Sequence, residues 1–157
     1  MLPENLREQA VARAVEEFDS EALEGARLDR GELTLSIAAP KIASVCGFLK
    51  YDQKFVRLSS VTAVDRYPAG PRFEVVYHLH SIERNERVRL KCRVSGVDPV
   101  IESVTSVWRG ADWYEREVFD LFGIKFINHP DLRRIMLPDE WEGHPLRKDY
   151  PVTGSRV

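Results

Sequence analysis

The nonapeptide ERVRLKCRV, residues 86–94, sets the strictest limit on the fold. Val88, Leu90, Cys92 and Val94 fall on one face of an extended chain, and Arg87, Arg89, Lys91 and Arg93 fall on the other. Side chains alternate across a strand, so the segment is half-buried in an antiparallel sheet with one dry face and one wet face. Four bases on the wet side suit solvent or a docked protein. A nucleic-acid stripe would interleave aromatics for base stacking, and here the interleaved residues are aliphatic. The formal net charge of −2 gives no general field toward nucleic acid or anionic lipid.

The neighbouring segments extend the same layer. LTLSI (33–37) alternates, residues 55–64 are β-branched and roughly alternating, and Phe73, Val75, Tyr77 and Leu79 share one face. YPAGP (67–71) is turn chemistry, and SIERNE before the basic strand is short enough for a hairpin. Residues 4–18 place Leu6, Ala10, Val11, Ala14, Val15 and Phe18 on one helical stripe. Pro40 opens a second helix carrying Ile42, Val45 and Leu49 and ending near Asp52. A third, WYEREVFDLF, is expected to be capped by Asp112 with Glu115 reaching back, and closed by a left-handed Gly123. The pattern predicts an α+β fold. An antiparallel sheet of about four strands carries helices on one face, all within residues 1–127.

Beyond residue 127 the periodicity stops. HPDLRRIMLPDEWEGHPLRKDYP (129–151) can form neither a helix nor a strand. Structureless stretches this long are usually functional or disordered. Leu132, Ile135, Met136, Leu137, Trp141, Leu146 and Tyr150 supply too many anchors for a solvated tail, and four prolines lower the entropy lost on ordering. Residues 128–157 therefore form a long extended C-terminal segment, protease-sensitive until a partner holds it. Its formal charge is zero, so selectivity must come from pairing geometry. The expected fasteners are Arg133, Arg134, His144, Arg147 and Lys148, with Trp141 and Tyr150 as apolar anchors.

Catalytic and metal chemistry find little support. His78 and His80 share a strand face but lack a third ligand. Cys46 and Cys92 have no CxxC partner and read as reduced core thiols. Glu115, Glu117 and Asp120 are expected to cap or to pair with Arg116, which lowers carboxyl pKa values, the wrong direction for a general acid. No phosphate loop, dinucleotide loop, nucleophile elbow or HExxH occurs. No apolar run approaches the ~20 residues of a membrane span, and the Glu-rich N-terminus is not expected to be a signal or transit peptide.

EREVFDLFGI (115–124) followed by the 129–151 stretch resembles the 30-kilodalton subunit of respiratory complex I. The resemblance is dense over residues 113–151. It implies a non-catalytic structural subunit in the peripheral arm of a proton-translocating NADH:quinone oxidoreductase, on the cytoplasmic side of the inner membrane. It implies tight association with the 49-kilodalton subunit and with the neighbouring peripheral-arm subunits that bacteria designate B and I. It also implies no cofactor in this chain, the FMN and iron–sulfur clusters residing in partner subunits. The alternative is the equivalent subunit of a related membrane-bound nickel–iron hydrogenase, a deazaflavin-linked dehydrogenase or the photosynthetic version.

Overall fold

The computed structural model describes residues 2–153; the last four residues of the expected C-terminal segment lie outside it. The N-terminal stripe does not make one helix. A single 3-10 turn at Glu4–Leu6 precedes α1 (Ala10–Phe18), because Gln9 is extended at φ −77°, ψ 102°. Leu2 and Leu6 are buried on the entering chain, while Val11, Ala12 and Val15 form the inner face of α1. Phe18 remains half-exposed but stacks on Phe48 of the second helix, with ring centroids 4.3 Å apart.

A strand that the sequence pattern does not reveal comes next. β1 (Leu23–Asp29) and β2 (Glu32–Ile37) form a hairpin around Arg30 and Gly31, with φ of 52° and 81°. Two consecutive positive φ values give the turn whose twist matches paired strands. α2 (Ile42–Tyr51) follows a 3-10 turn at Ala39–Lys41 and buries Ile42, Val45, Cys46 and Leu49. β3 (Arg57–Asp65), β4 (Phe73–Ser81) and β5 (Glu86–Val94) then run as an antiparallel meander. Both cysteines are buried free thiols, and burial pushes both well above the usual thiol range.

The sheet has five strands, in the order β1-β2-β5-β4-β3. It is mixed rather than wholly antiparallel, since β2 pairs with β5 in parallel, Leu35 opposite Leu90. The reason is topological. After β2 the chain crosses by α2 to the far edge, and the meander returns β5 to the side of β2.

The inner face is mainly apolar, with Leu35, Ile37, Phe73, Val75, Tyr77, Leu90 and Cys92 fully buried. α3 (Ala111–Phe122) packs against β3 across this face. The outer face carries Thr34, Ser36, Thr62, His78, His80 and the four bases of β5. Two short parallel strands, β6 (Val100–Glu102) and β7 (Lys125–Ile127), precede and follow α3 in the chain and pair with each other.

The C-terminus of α3 closes as its sequence requires. Gly123 sits at φ 78° and its N–H donates to Phe119 at 2.8 Å. The start differs from expectation. The helix begins at Ala111 after Gly110, with no side-chain cap. Glu115 does not reach back; it points into the core and accepts from the Val104 amide (2.7 Å) and the Ser103 hydroxyl (2.6 Å). Unpaired donors of the buried 103–105 turn compete for it more strongly than solvated helix N–H groups do. No described helix is long and apolar enough to cross a membrane.

Candidate functional site: the C-terminal strap

Asp120 is the centre of the site. Its place in the last turn of α3 buries it completely, and the expected Arg116 partner goes elsewhere. Arg134 donates from Nη1 to Oδ1 at 2.6 Å, and the backbone amides of Ile135, Met136 and Leu137 converge on Oδ2 at 3.1, 2.7 and 2.9 Å. Successive N–H groups curled around one anion form a nest. Burial alone raises the Asp120 carboxyl, but Arg134 and the three amides outweigh it and hold the pKa below the usual carboxylate range.

The same turn of α3 grips the strap farther on. The Asp120 carbonyl accepts from Arg134 (3.1 Å) and lies 2.9 Å from His144 Nδ1. His144 is held below its usual pKa, first by burial and also by nearby Arg147 and Arg134. The neutral ring then donates from Nδ1, the tautomer this partner assigns. Arg147 donates Nε to the Phe122 carbonyl at 2.6 Å and lies over the Phe73 ring. These exposed carbonyls are the acceptors a helix leaves unsatisfied at its end. Gly123 is required here, because a Cβ would come within 2.6 Å of both His144 and Arg147. Arg134 also donates to the Gly143 carbonyl at 3.0 Å and so ties the two arms of the strap together.

A second clasp lies at the end of β3. Asp65 accepts two hydrogen bonds from Arg72 (2.9 and 2.8 Å), one from the Tyr67 amide and one from the Lys148 amide at 2.8 Å. Arg72 reaches onward to both oxygens of Asp149. The Arg72 guanidinium holds the Asp65 carboxyl far below the ordinary range.

A third cluster marks the start of the strap. His129, whose side chain is fully buried, accepts the Asp131 amide at Nδ1 (3.0 Å) and sets Nε2 3.2 Å from the Asp112 carbonyl. Nε2 also lies 3.9 Å from Glu115 Oε2. Glu115 is pushed up to about 7 by burial, against the pull of its Ser103 and Val104 donors and helped by Asp112. The lowered value expected of it is therefore corrected, whereas Asp120 is lowered, through a different arginine than Arg116. Arg116 instead donates to the Arg133 and Arg134 carbonyls, both at 3.2 Å, beneath Trp113.

The structure thus brings Arg134, His144 and Arg147 together around the last turn of α3. Arg133 is exposed and, among the described residues, its side chain pairs with Asp131 (2.9 Å). Lys148 is exposed and contributes its backbone amide, while Trp141 and Tyr150 are half-buried along the strap. The outward side chains include Met136 and Leu146, 62% and 51% exposed. Sequence reasoning missed Asp65 and Arg72, which lie 83 and 77 residues from their strap partners. No group of three or more residues able to hold a metal occurs among the described residues, and His78 stands apart from the strap on the outer sheet face.

The family model described as "Respiratory-chain NADH dehydrogenase, 30 Kd subunit" matches residues 35–156. The chain is 48% identical over 147 residues to the NADH-quinone oxidoreductase C subunit of Geobacter sulfurreducens, covering 93% of this chain and 90% of the relative. Among solved structures, the trypsin-resistant fragment (1-134) of Nqo5 superposes with a TM-score of 0.67 at 31% identity, covering 76% of this chain and 97% of the fragment. The membrane-bound sulfane sulfur reductase, an archaeal respiratory membrane complex, contains a chain that superposes with a TM-score of 0.78 at 26% identity, covering 90% of this chain and 84% of that one. A family match across most of the chain and a near-full-length relative at this identity place the protein in the family of 30-kilodalton subunits of respiratory-chain NADH dehydrogenase.

Proposed function

We propose that the chain is a non-catalytic assembly subunit in the peripheral arm of a proton-translocating NADH:quinone oxidoreductase, docking on the 49-kilodalton subunit through its C-terminal strap. The observation that carries this reading is a pre-organised surface. Asp120 and Asp65 fix the strap from beneath, and Met136, Leu146, Arg133 and Lys148 face outward. Rigid apolar anchors beside charged groups lose little entropy on binding and suit a protein partner. Arg134 and Arg147 serve this role indirectly, by shaping the strap. In this reading the neighbours designated B and I lie nearby, FMN and the iron–sulfur clusters reside in partner subunits, and the chain sits peripherally on the cytoplasmic side of the membrane.

The likeness to the sulfane sulfur reductase chain favours one second reading, the equivalent subunit of a related membrane-bound respiratory complex. The 48% identity to a relative named for NADH-quinone oxidoreductase supports the first. Affinity purification of the tagged chain from membranes separates them. The expected result is co-purification of the 49-kilodalton subunit with NADH:quinone activity. Met136→Asp with Leu146→Asp should lower that recovery roughly tenfold, about 1.4 kcal/mol, without changing the melting temperature of the isolated chain. Elution of the wild-type chain alone, or turnover by the isolated chain, would overturn the proposal.

A further inference from the structure

The outer face of the sheet holds two exposed arginines on either side of a histidine, none of which the strap uses. Arg57 of β3 lies opposite His80 of β4, and His80 lies opposite Arg87 of β5. Opposite-charge pairs across a sheet face stabilise it, so a base there ordinarily has a counter-charge. The other bases of this face have one. Arg89 pairs with Glu32 (2.7 Å), Lys91 and Arg93 with Glu74 (3.3 and 3.6 Å), and Arg27 with Asp29 (3.1 Å). Glu86, the acid adjoining the row, is taken by Arg84 at 3.2 Å. Neither the Arg57 nor the Arg87 side chain makes a hydrogen bond or ion pair among the described residues, and both are exposed. A cleft of about 630 Å³ adjoins Arg87, lined also by Ser60, His78, Arg89, Glu32 and Gln9.

We propose that the Arg57–His80–Arg87 row is a docking site for a carboxylate-bearing protein segment of a neighbouring subunit. The proposal rests on the reading of the chain as part of a larger complex. Its dimensions set the chemistry of the occupant. Strands lie ~4.8 Å apart, so the two guanidinium stems stand roughly 10 Å apart across three strands. Acidic residues at i and i+4 on a helix, or alternating along an extended segment, present carboxylates ~5–7 Å apart, within reach of two long flexible arginines. An anionic lipid surface fits less well. A headgroup layer would also press on Glu32, Glu74 and Glu86, whereas a folded partner can place its charges on the row alone.

The test uses the whole chain in its membrane complex. In Arg57→Glu/Arg87→Glu, the fraction of the chain recovered in the large complex should fall on the order of tenfold, and in Arg57→Lys/Arg87→Lys it should stay near wild type. Raising salt from about 0.1 to 0.5 M should release wild type progressively and change the recovery of the glutamate variant little. The isolated glutamate variant should melt near the wild-type temperature, because neither exposed arginine side chain has a partner to lose. Full recovery of the glutamate variant beside normal wild type would overturn the site and leave the reading of the chain as a subunit intact; absence of the wild-type chain from any complex would overturn that reading itself. Binding of the isolated wild type, but not the variant, to phosphatidylglycerol vesicles would overturn the choice of a protein occupant.

Discussion

Arg134 sets its Nη1 2.6 Å from Asp120 Oδ1, while the three amides that follow it in the chain close on Oδ2. One carboxylate at the end of α3 therefore organises a loop that has no secondary structure of its own. Asp120→Asn would turn an amide NH₂ toward donors and leave Arg134 without its counter-charge. The expected cost is about 2–3 kcal/mol, read as a lower melting temperature. Trypsin should cut faster at Arg133, Arg134, Arg147 and Lys148. Unchanged cleavage at those four sites would show that the strap is held some other way.

Asp120 and Asp65 are both held below their usual pKa values. A depressed carboxyl contributes stability that is present above its unfolded value and lost as pH falls through the folded one. The clasps should therefore be intact from neutral pH down to about 4 and open below it. Strap amide exchange followed by NMR should rise in that acidic range. Exchange at Ile135, Met136, Leu137 and Lys148 that stays unchanged as pH falls through 4 would contradict this assignment.

Glu115 works in the opposite sense. Its folded pKa is raised to about 7 from 4.5, so the folded state binds the proton more tightly than the unfolded chain does. Stability should then decline as pH rises from 4.5 through 7 and stay level above. Glu115→Gln keeps an acceptor for Val104 and carries no charge. It should flatten this slope and gain on wild type as pH rises from 5 to 8. Parallel melting curves for the two proteins would rule out a titrating Glu115.

Tyr77 is fully buried, and its hydroxyl has no hydrogen-bond partner among the described residues. Removing an orphaned buried hydroxyl relieves a desolvation penalty of about 1 kcal/mol. Tyr77→Phe should raise the melting temperature by about 2–4 °C. A decrease of similar size would mean that the hydroxyl is satisfied.

The sequence discloses this fold wherever one face is wet and the other dry. β5 shows perfect alternation, and α3 carries its left-handed stop at Gly123. β1 stayed hidden because only Leu23 of its seven residues is buried, so there is no alternation to see. Its turn also places an arginine where Asn or Gly is the usual signal. The parallel pairing of β2 with β5 is equally silent, since a two-residue period is the same in either direction. In the strap, residue types pointed to arginines that pair with a neighbouring subunit, and Arg134 and Arg147 instead donate within this chain. Their acceptors are carbonyls and a carboxylate on α3, contacts that depend on how a helix end meets an aperiodic loop. Asp65 could not be linked to Lys148 by any local pattern.

The most direct test of the central claim is to express the chain without residues 128–153 in cells that lack the native protein, then measure assembled complex in membranes and NADH:quinone turnover per assembled complex. If the strap fastens this chain to its neighbours, assembled complex should fall sharply, and whatever complex remains should turn over at the normal rate. Full assembly with reduced turnover would contradict the account and assign the strap to the chemistry.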